Sequence, residues 1–326
     1  MDFPLTIGTV PAGSNTFVTK MSPSGAALGY STVLGRNLTG AGAAGGGGVA
    51  VDKQGNAYVT GNAKVTSTPN AYIPCSGFDG FLTVLGPAGN QMLYSTCLKA
   101  SAPSGVAVDS QGRAYLDGTT GCTLTTTASA LQPACPGSNS GFVMVLDTTL
   151  SGSSSLFYSS YLGDPSGSLN IYLAPIALDA FGKIYVAGQL WSDTHNTGLF
   201  PTTPGAYSTS LAACTPRQGI FGALYNICQW PFVTKLDPSG QGGNSLIYST
   251  YLGYVGQTTQ TEDRVPFFQP LNMGIAVDGT GSAYIAGAGS SSYPTTPGAF
   301  QTTGSGTFVT KLNAGGSNLV TVQPPT

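Results

Sequence analysis

Charge is what this sequence most lacks. Charged residues make up 7% of the chain, against about 25% in an ordinary soluble domain. Glu occurs once (Glu262) and His once (His195). The shortage of Glu and Lys excludes a helical bundle or coiled coil, which is built on Ala, Glu, Lys and Leu. A single imidazole excludes any site that needs two. Eleven basic residues against thirteen acidic ones leave no electrostatic footprint for nucleic acid. No apolar run approaches the ~18 residues of a membrane-spanning helix, so no membrane insertion is expected. The N-terminus MDFPLTIGTVPAGSN has neither the basic nor the apolar region of a signal peptide.

Glycine, by contrast, is abundant: 47 of 326 residues, roughly twice ordinary usage. It marks internal repeats. One segment recurs four times: GVAVDKQGNAYVTG (48–61), GVAVDSQGRAYLDG (105–118), PIALDAFGKIYVAG (175–188) and GIAVDGTGSAYIAG (274–287). A second begins at Phe17, Phe81, Phe142, Phe232 and Phe308, with FVTKMSPSG, FVTKLDPSG and FVTKLNAGG as its best copies. A third follows it as GYSTVLG, LYSTCLK, FYSSYLG and IYSTYLG. Each piece is short, alternating and rich in β-branched and aromatic residues, with Gly, Pro, Asp or Ser at its ends. That is the pattern of a strand. Nowhere do apolar residues hold a helical period over three turns.

One period therefore holds four strands, and radially repeated four-stranded units are the blades of a β-propeller. A solenoid is the alternative, with shorter coils. The expected fold is all-β: a propeller of four-stranded antiparallel blades in a single domain, 1–326. Four blades are full (48–99, 105–163, 174–253 and 274–323) and one is partial (2–35). The repeated segments, with FPTTPGAY (200–207) and YPTTPGAF (293–300) and their weaker echoes STPNAY (67–72) and DFPLTIG (2–8), resemble the SBBP repeats of bacterial surface and secreted proteins. The resemblance implies a seven-bladed propeller. Either a five-bladed ring closes with a thin first blade, or the chain is a piece of a larger propeller. It implies no catalytic residue and no cofactor.

The recurrent Asp52, Asp109, Asp179 and Asp278 each precede a Gly by three residues. A ring of calcium-binding carboxylates would need them to converge. One per repeat, at the first position of a hairpin turn that ends in Gly, is turn chemistry. Tyr58, Tyr115, Tyr185 and Tyr284 are expected to pack blade against blade. Lys20, Lys235 and Lys311 share a position with Val84 and Val145, which marks it as half-exposed. PTTPGAY-type loops are expected to be plugged by their final aromatic, Tyr207 or Phe300. The six cysteines are read as three local disulfides, Cys75–Cys97, Cys122–Cys135 and Cys214–Cys228, with buried thiols as the alternative. Disulfides and the low charge point to an extracytoplasmic protein: secreted, periplasmic or on the cell surface. The absent signal then implies an upstream segment.

Catalytic constellations are thin. His195 beside Ser192 and Asp193 lies on a loop, without the strand–turn–helix elbow of a hydrolase. Glu262 with Asp263, or either with Asp193, is the one carboxylate set a polysaccharide hydrolase or lyase could use. Ligand binding is the stronger expectation. Long variable loops on a rigid frame carry binding, and two stand out, residues 189–231 and 254–273. They hold Trp191, Asp193, His195, Arg217, Tyr225, Trp230, Tyr254, Glu262, Asp263 and Arg264, and Trp, Tyr and Arg are the residues of binding hot spots. The expected partner is a glycan or a protein.

Overall fold

Runs of alternating β-branched and aromatic residues become strands, and each ends where Asp, Pro or Gly turns the chain. The computed structural model describes residues 5–7, 14–37, 45–99, 101–137, 139–192, 199–212, 217–218, 224–225, 228–253, 273–289, 293–303 and 306–320. It is all-β, and among the described residues the helices are two single 3-10 turns, Gly152–Ser155 and Gly242–Ser245. No helix there is long and apolar enough to cross a membrane.

The strands form a series of antiparallel sheets in chain order. The first has two, Ser14–Met21 and Leu28–Asn37. The second has four, Gly45–Val51, Ala57–Ala63, Asp79–Leu85 and Met92–Cys97, each paired with its neighbour in sequence. The third repeats this with Ser101–Val108, Arg113–Thr120, Ser140–Asp147 and Leu156–Leu162. In the fourth, Asn170–Leu173 and Ala177–Leu178 share the place of a first strand, followed by Ile184–Ser192, Cys228–Leu236 and Leu246–Tyr251. Pro175 lies in the gap between those two pieces, where its missing N–H does no harm to the ladder. The fifth comprises Gly274–Val277, Ala283–Gly289, Gly306–Leu312 and Leu319–Val320. A separate small pair joins Arg217–Gln218 to Leu224–Tyr225. By contact the chain falls into two compact units, residues 1–127 with 143–159, and residues 128–142 with 160–326.

The four aspartate turns are one device repeated. Asp52 closes its turn with its own carbonyl, which accepts from Gly55 N–H at 3.0 Å. Its Oδ1 accepts from the amides of Gln54 and Asn56, at 3.0 and 2.9 Å. Asp109, Asp179 and Asp278 bond the amides two and four residues on in the same way. The closing Gly55, Gly112, Gly182 and Gly281 have φ of 83, 80, 73 and 82°. These are left-handed values that glycine adopts without steric cost, in a three-residue hairpin loop with a bulge. Every one of these carboxylates is thus committed to its own turn.

Within each unit, consecutive sheets pack through the repeated tyrosines. Tyr58 Oη donates to the carbonyl of Gly112 in the next sheet's aspartate turn, at 3.2 Å. Tyr185 Oη makes the same bond to Gly281 at 3.0 Å. Fourth-strand tyrosines pack on the next sheet's second hairpin turn. A Cβ on Gly89 would overlap the Tyr30 ring, and one on Gly316 the Tyr248 ring. Val18 and Tyr30 of the first sheet share a core with Ala57, Val59, Phe81 and Leu85 of the second. In the other unit, Tyr185, Val233 and Tyr248 join Ile285, Phe308 and Leu312. Buried hydroxyls pair across third and fourth strands: Thr83 with Ser95 at 2.9 Å, and Thr234 with Ser249 at 2.8 Å.

The PTTPGAY-type segments cover the outer edges of these sheets. Thr203 N–H donates to the Ser249 carbonyl at 3.1 Å, and Ser249 N–H returns to Thr203 Oγ1 at 3.1 Å. Thr68 with Ser95, and Thr6 with Ser31, repeat the exchange. An exposed fourth-strand edge would be a template for aggregation, and the motif removes it. Its plug is the leading aromatic and not, as expected, the final one. Phe200 packs on Phe232 with ring centroids 4.5 Å apart, and Tyr293 stacks on Phe308 at 3.9 Å. Tyr207 is half-buried against the next sheet, its N–H on the Gly316 carbonyl at 2.8 Å. Phe300, in the last sheet, has no such neighbour among the described residues and is 91% exposed.

Two disulfides are present. Cys75–Cys97 joins a loop to a fourth strand, with Cα atoms 5.1 Å apart. Cys122–Cys135 closes one loop. Cys214 lies outside the described residues, and with it the third expected pair.

Candidate functional site

The fourth sheet carries the longest connection between second and third strands, residues 193–227. Antiparallel pairing places Ser192 opposite Cys228 and Phe232 opposite Tyr251. The strand ends that lead into 193–227, and into the segment from 254, therefore lie at one end of this sheet.

Paired positions at that end are Gln189 with Pro231, Leu190 with Trp230, and Trp191 with Gln229. Trp230 is buried, and its indole N–H donates to the Ala212 carbonyl at 2.9 Å. It pins the returning loop to the sheet. Trp191 is half-buried and stands near the end of the partner strand, Ile184–Ser192. Gln189 and Gln229, on the same face of the sheet as Trp191, are buried polar side chains. Gln229 Oε1 has no hydrogen-bond partner among the described residues. A buried amide oxygen without a donor is costly.

Asp164 organises the neighbouring rim. It accepts from Ser166 N–H at 3.0 Å, Ser166 Oγ at 2.7 Å, Leu169 N–H at 3.1 Å and Leu199 N–H at 2.8 Å. Burial pushes its carboxyl up, but these donors outweigh burial and hold it below the usual carboxylate range. It ties the connection that enters this sheet to the loop that leaves the second strand. The Asp-Pro-Ser-Gly turn at 164–167 is its only trace in the sequence.

Of the residues expected at the site, Trp191 and Trp230 lie on paired strands but one step apart in register, and so on opposite faces of the sheet. Arg217 and Tyr225 lie opposite each other in the small strand pair. Asp193, His195, Tyr254, Glu262, Asp263 and Arg264 lie outside the described residues. Gln189, Gln229 and Asp164 were not anticipated. An amide in a strand gives no pattern signal, and burial alone gives these three their significance.

A second buried polar group had no signal either. Asp117 takes the place of Thr60 in the repeat, is fully buried, and neither carboxylate oxygen has a well-formed hydrogen bond. Burial pushes its carboxyl well above the carboxylate range; only the N–H groups of Gly105 and of Asp117 itself favour the anion. The folded protein therefore holds this proton more tightly than the unfolded chain does. An unfolded aspartate ionises above about pH 3.9, so stability falls as pH rises through that value toward the folded pKa. Asp117→Thr is expected to gain roughly 1–3 kcal/mol at pH 7 and less at pH 3, where the ionisation part of the cost is absent. Its hydroxyl can bond a third-strand carbonyl as Thr60 bonds that of Phe81, at 2.6 Å. Urea unfolding at the two pH values checks this, and an equal gain at both would contradict it.

Among the described residues no cluster of three or more His, Cys, Asp or Glu side chains has metal-binding geometry. In comparisons with known proteins, no family model matches this chain and no curated protein does.

Proposed function

We propose that the chain is a β-propeller scaffold of the SBBP-repeat type, acting outside the cytoplasm without catalysis. It presents a glycan or protein ligand site on the loops at one end of the fourth sheet. One observation carries this reading. The residues that recur are consumed by the frame: the aspartates bond their own turns, and the Tyr58 and Tyr185 hydroxyls bond the next sheet. What does not recur, Trp191 with the buried amides Gln189 and Gln229, stands where the longest loop leaves the sheet. The four-stranded sheets, packed face to face through their tyrosines and closed by short turns, support the propeller. Two disulfides support an oxidising compartment.

A half-buried Trp beside amide acceptors suits the apolar face and hydroxyl rim of a sugar. Screening the purified chain on a glycan array, followed by titration of the best ligand, tests the site. Trp191→Ala together with Arg264→Ala is expected to weaken binding at least ~30-fold, the size of a 2 kcal/mol hot spot, with the thermal midpoint unchanged. Undiminished binding by the double variant would overturn the placement. Release of shortened sugar products would overturn the non-catalytic reading.

A further inference from the structure

The PTTPGAY-type segments are held on their fourth-strand edges in two different ways. In each, the residue three places before the edge-binding threonine is the plug. In the fourth sheet it is Phe200, whose ring centroid lies 4.5 Å from that of Phe232 and 6.3 Å from that of Tyr251. In the fifth it is Tyr293, stacked on Phe308 at 3.9 Å. Neither 200–207 nor 293–300 contains a cysteine.

The second sheet departs from this. Its plug is Val65, buried in the core with Phe81 and Cys97. Cys97 stands where the fourth sheet has Tyr251, because Phe81 faces the one and Phe232 the other. A valine and a cysteine thus take the place of two aromatic rings. Valine removes less apolar surface from water than phenylalanine does. What the second sheet has instead is the bond from Cys97 to Cys75, at the far end of the same segment. The third sheet repeats the combination, with Leu124 three places before Thr127 and Cys122–Cys135 bracketing the segment.

The hydrogen bonds under the two kinds of cover are alike. Thr68 N–H donates to the Ser95 carbonyl at 3.0 Å, and Cys97 N–H to that of Ile73 at 3.1 Å. In the fourth sheet Thr203 N–H donates to the Ser249 carbonyl at 3.1 Å, and Tyr251 N–H to that of Ser208 at 3.0 Å. Each such bond replaces one to water and contributes little net. The aromatic plug in one case, and the disulfide in the other, decides whether the segment stays in place.

The two sulfurs differ in reach. Cys97 is fully buried and Cys75 half-buried, so an external thiolate attacks at Cys75. A bond forms from the incoming sulfur to Cys75 Sγ, the Cys75–Cys97 bond breaks, and Cys97 leaves as a thiolate that takes up a proton. The incoming thiol is oxidised and Cys97 is reduced. With a dithiol, the reagent's second sulfur then displaces Cys75 in the same way.

We infer that the second sheet carries a thiol-operated edge cover: opening Cys75–Cys97 releases residues 65–75 and bares the Tyr94–Cys97 edge, while the aromatic-plugged covers stay shut. A bared edge is a template for strand pairing, so a thiol reductant turns an inert edge into a pairing one.

Residue-resolved amide exchange on the whole chain, with and without dithiothreitol, is the test. The N–H groups of Ser95 and Cys97 donate to Thr68 Oγ1 and the Ile73 carbonyl. They are expected to exchange at least ~10-fold faster after reduction, as local opening requires. Ser249 and Tyr251, their counterparts under the Phe200 cover, are expected to keep their rates. Replacing Cys75 by Ser and Cys97 by Ala should reproduce the change at Ser95 without reductant, which separates it from the opening of Cys122–Cys135. Phe200→Val is the converse: it should speed exchange at Ser249 and Tyr251 with no thiol present. Unchanged Ser95 and Cys97 rates in the reduced protein overturn the proposal. So does equal acceleration at both edges, or a Phe200→Val protein whose Ser249 and Tyr251 exchange as before. With glutathione as the thiol, mass mapping is expected to place the adduct on Cys75; an adduct on Cys97 alone overturns the assigned point of attack.

Discussion

Tyr185→Ala is expected to cost about 3–5 kcal/mol, the range for deleting a large buried aromatic side chain, and Tyr185→Phe about 1 kcal/mol. The ring is fully buried in the core that the fourth and fifth sheets share. Its hydroxyl is divided between the Gly281 carbonyl at 3.0 Å and Asp179 Oδ2 at 3.2 Å. The Lys235 ammonium sits 4.6 Å from its centroid. Removal therefore leaves a cavity, an uncovered turn carbonyl and a cation without its aromatic face. Urea denaturation with a constant m-value measures the loss. A cost below 1 kcal/mol for the alanine variant would show that the sheets do not depend on this contact.

Replacing Cys75 by Ser and Cys97 by Ala together is expected to cost about 3 kcal/mol. The bond closes a loop of 22 residues, and freeing a loop of that length restores about that much disorder to the unfolded chain. Cys97 is buried at the end of a fourth strand and faces Phe81, so alanine there also removes a packed sulfur. Treating the native protein with reductant should lower stability at least as far, because it also opens Cys122–Cys135. An unchanged unfolding midpoint after full reduction would contradict it.

Local chemistry was legible in the residues. An Asp followed three places on by Gly closed a hairpin four times, and the strand on either side began and ended where the turn residues stand. The Cys75–Cys97 pair was also legible, because antiparallel third and fourth strands bring the end of one beside the start of the other. That the repeated tyrosines pack one repeat on the next was also legible; the atom each one meets there was not. Tyr185 meets Gly281 across 96 residues of chain, and neither residue carries a mark of the other. The plug of the PTTPGAY segment illustrates the limit. Phe200 and Tyr207 look equivalent as aromatics, yet Phe200 fills its own sheet while Tyr207 waits for the next one. Phe300, at the same place as Tyr207, is exposed because the described residues offer it no next sheet. The site was legible only as a concentration of unusual residues on long loops. The buried amides Gln189 and Gln229 became visible only when pairing set them beside Trp191.

The central claim is that the repeated residues hold one sheet to the next and so leave recognition to the loops. Residue-resolved amide exchange on Tyr185→Phe tests it most directly. That change removes one oxygen, whose bond reaches the turn of the following sheet. Faster exchange is expected in the Asp278–Ser282 turn, whose own hydrogen bonds run from Gly281 N–H to the Asp278 carbonyl and from Asp278 N–H to that of Ser282. A change confined to the variant's own sheet, with the Asp278–Ser282 turn exchanging as before, would contradict the account.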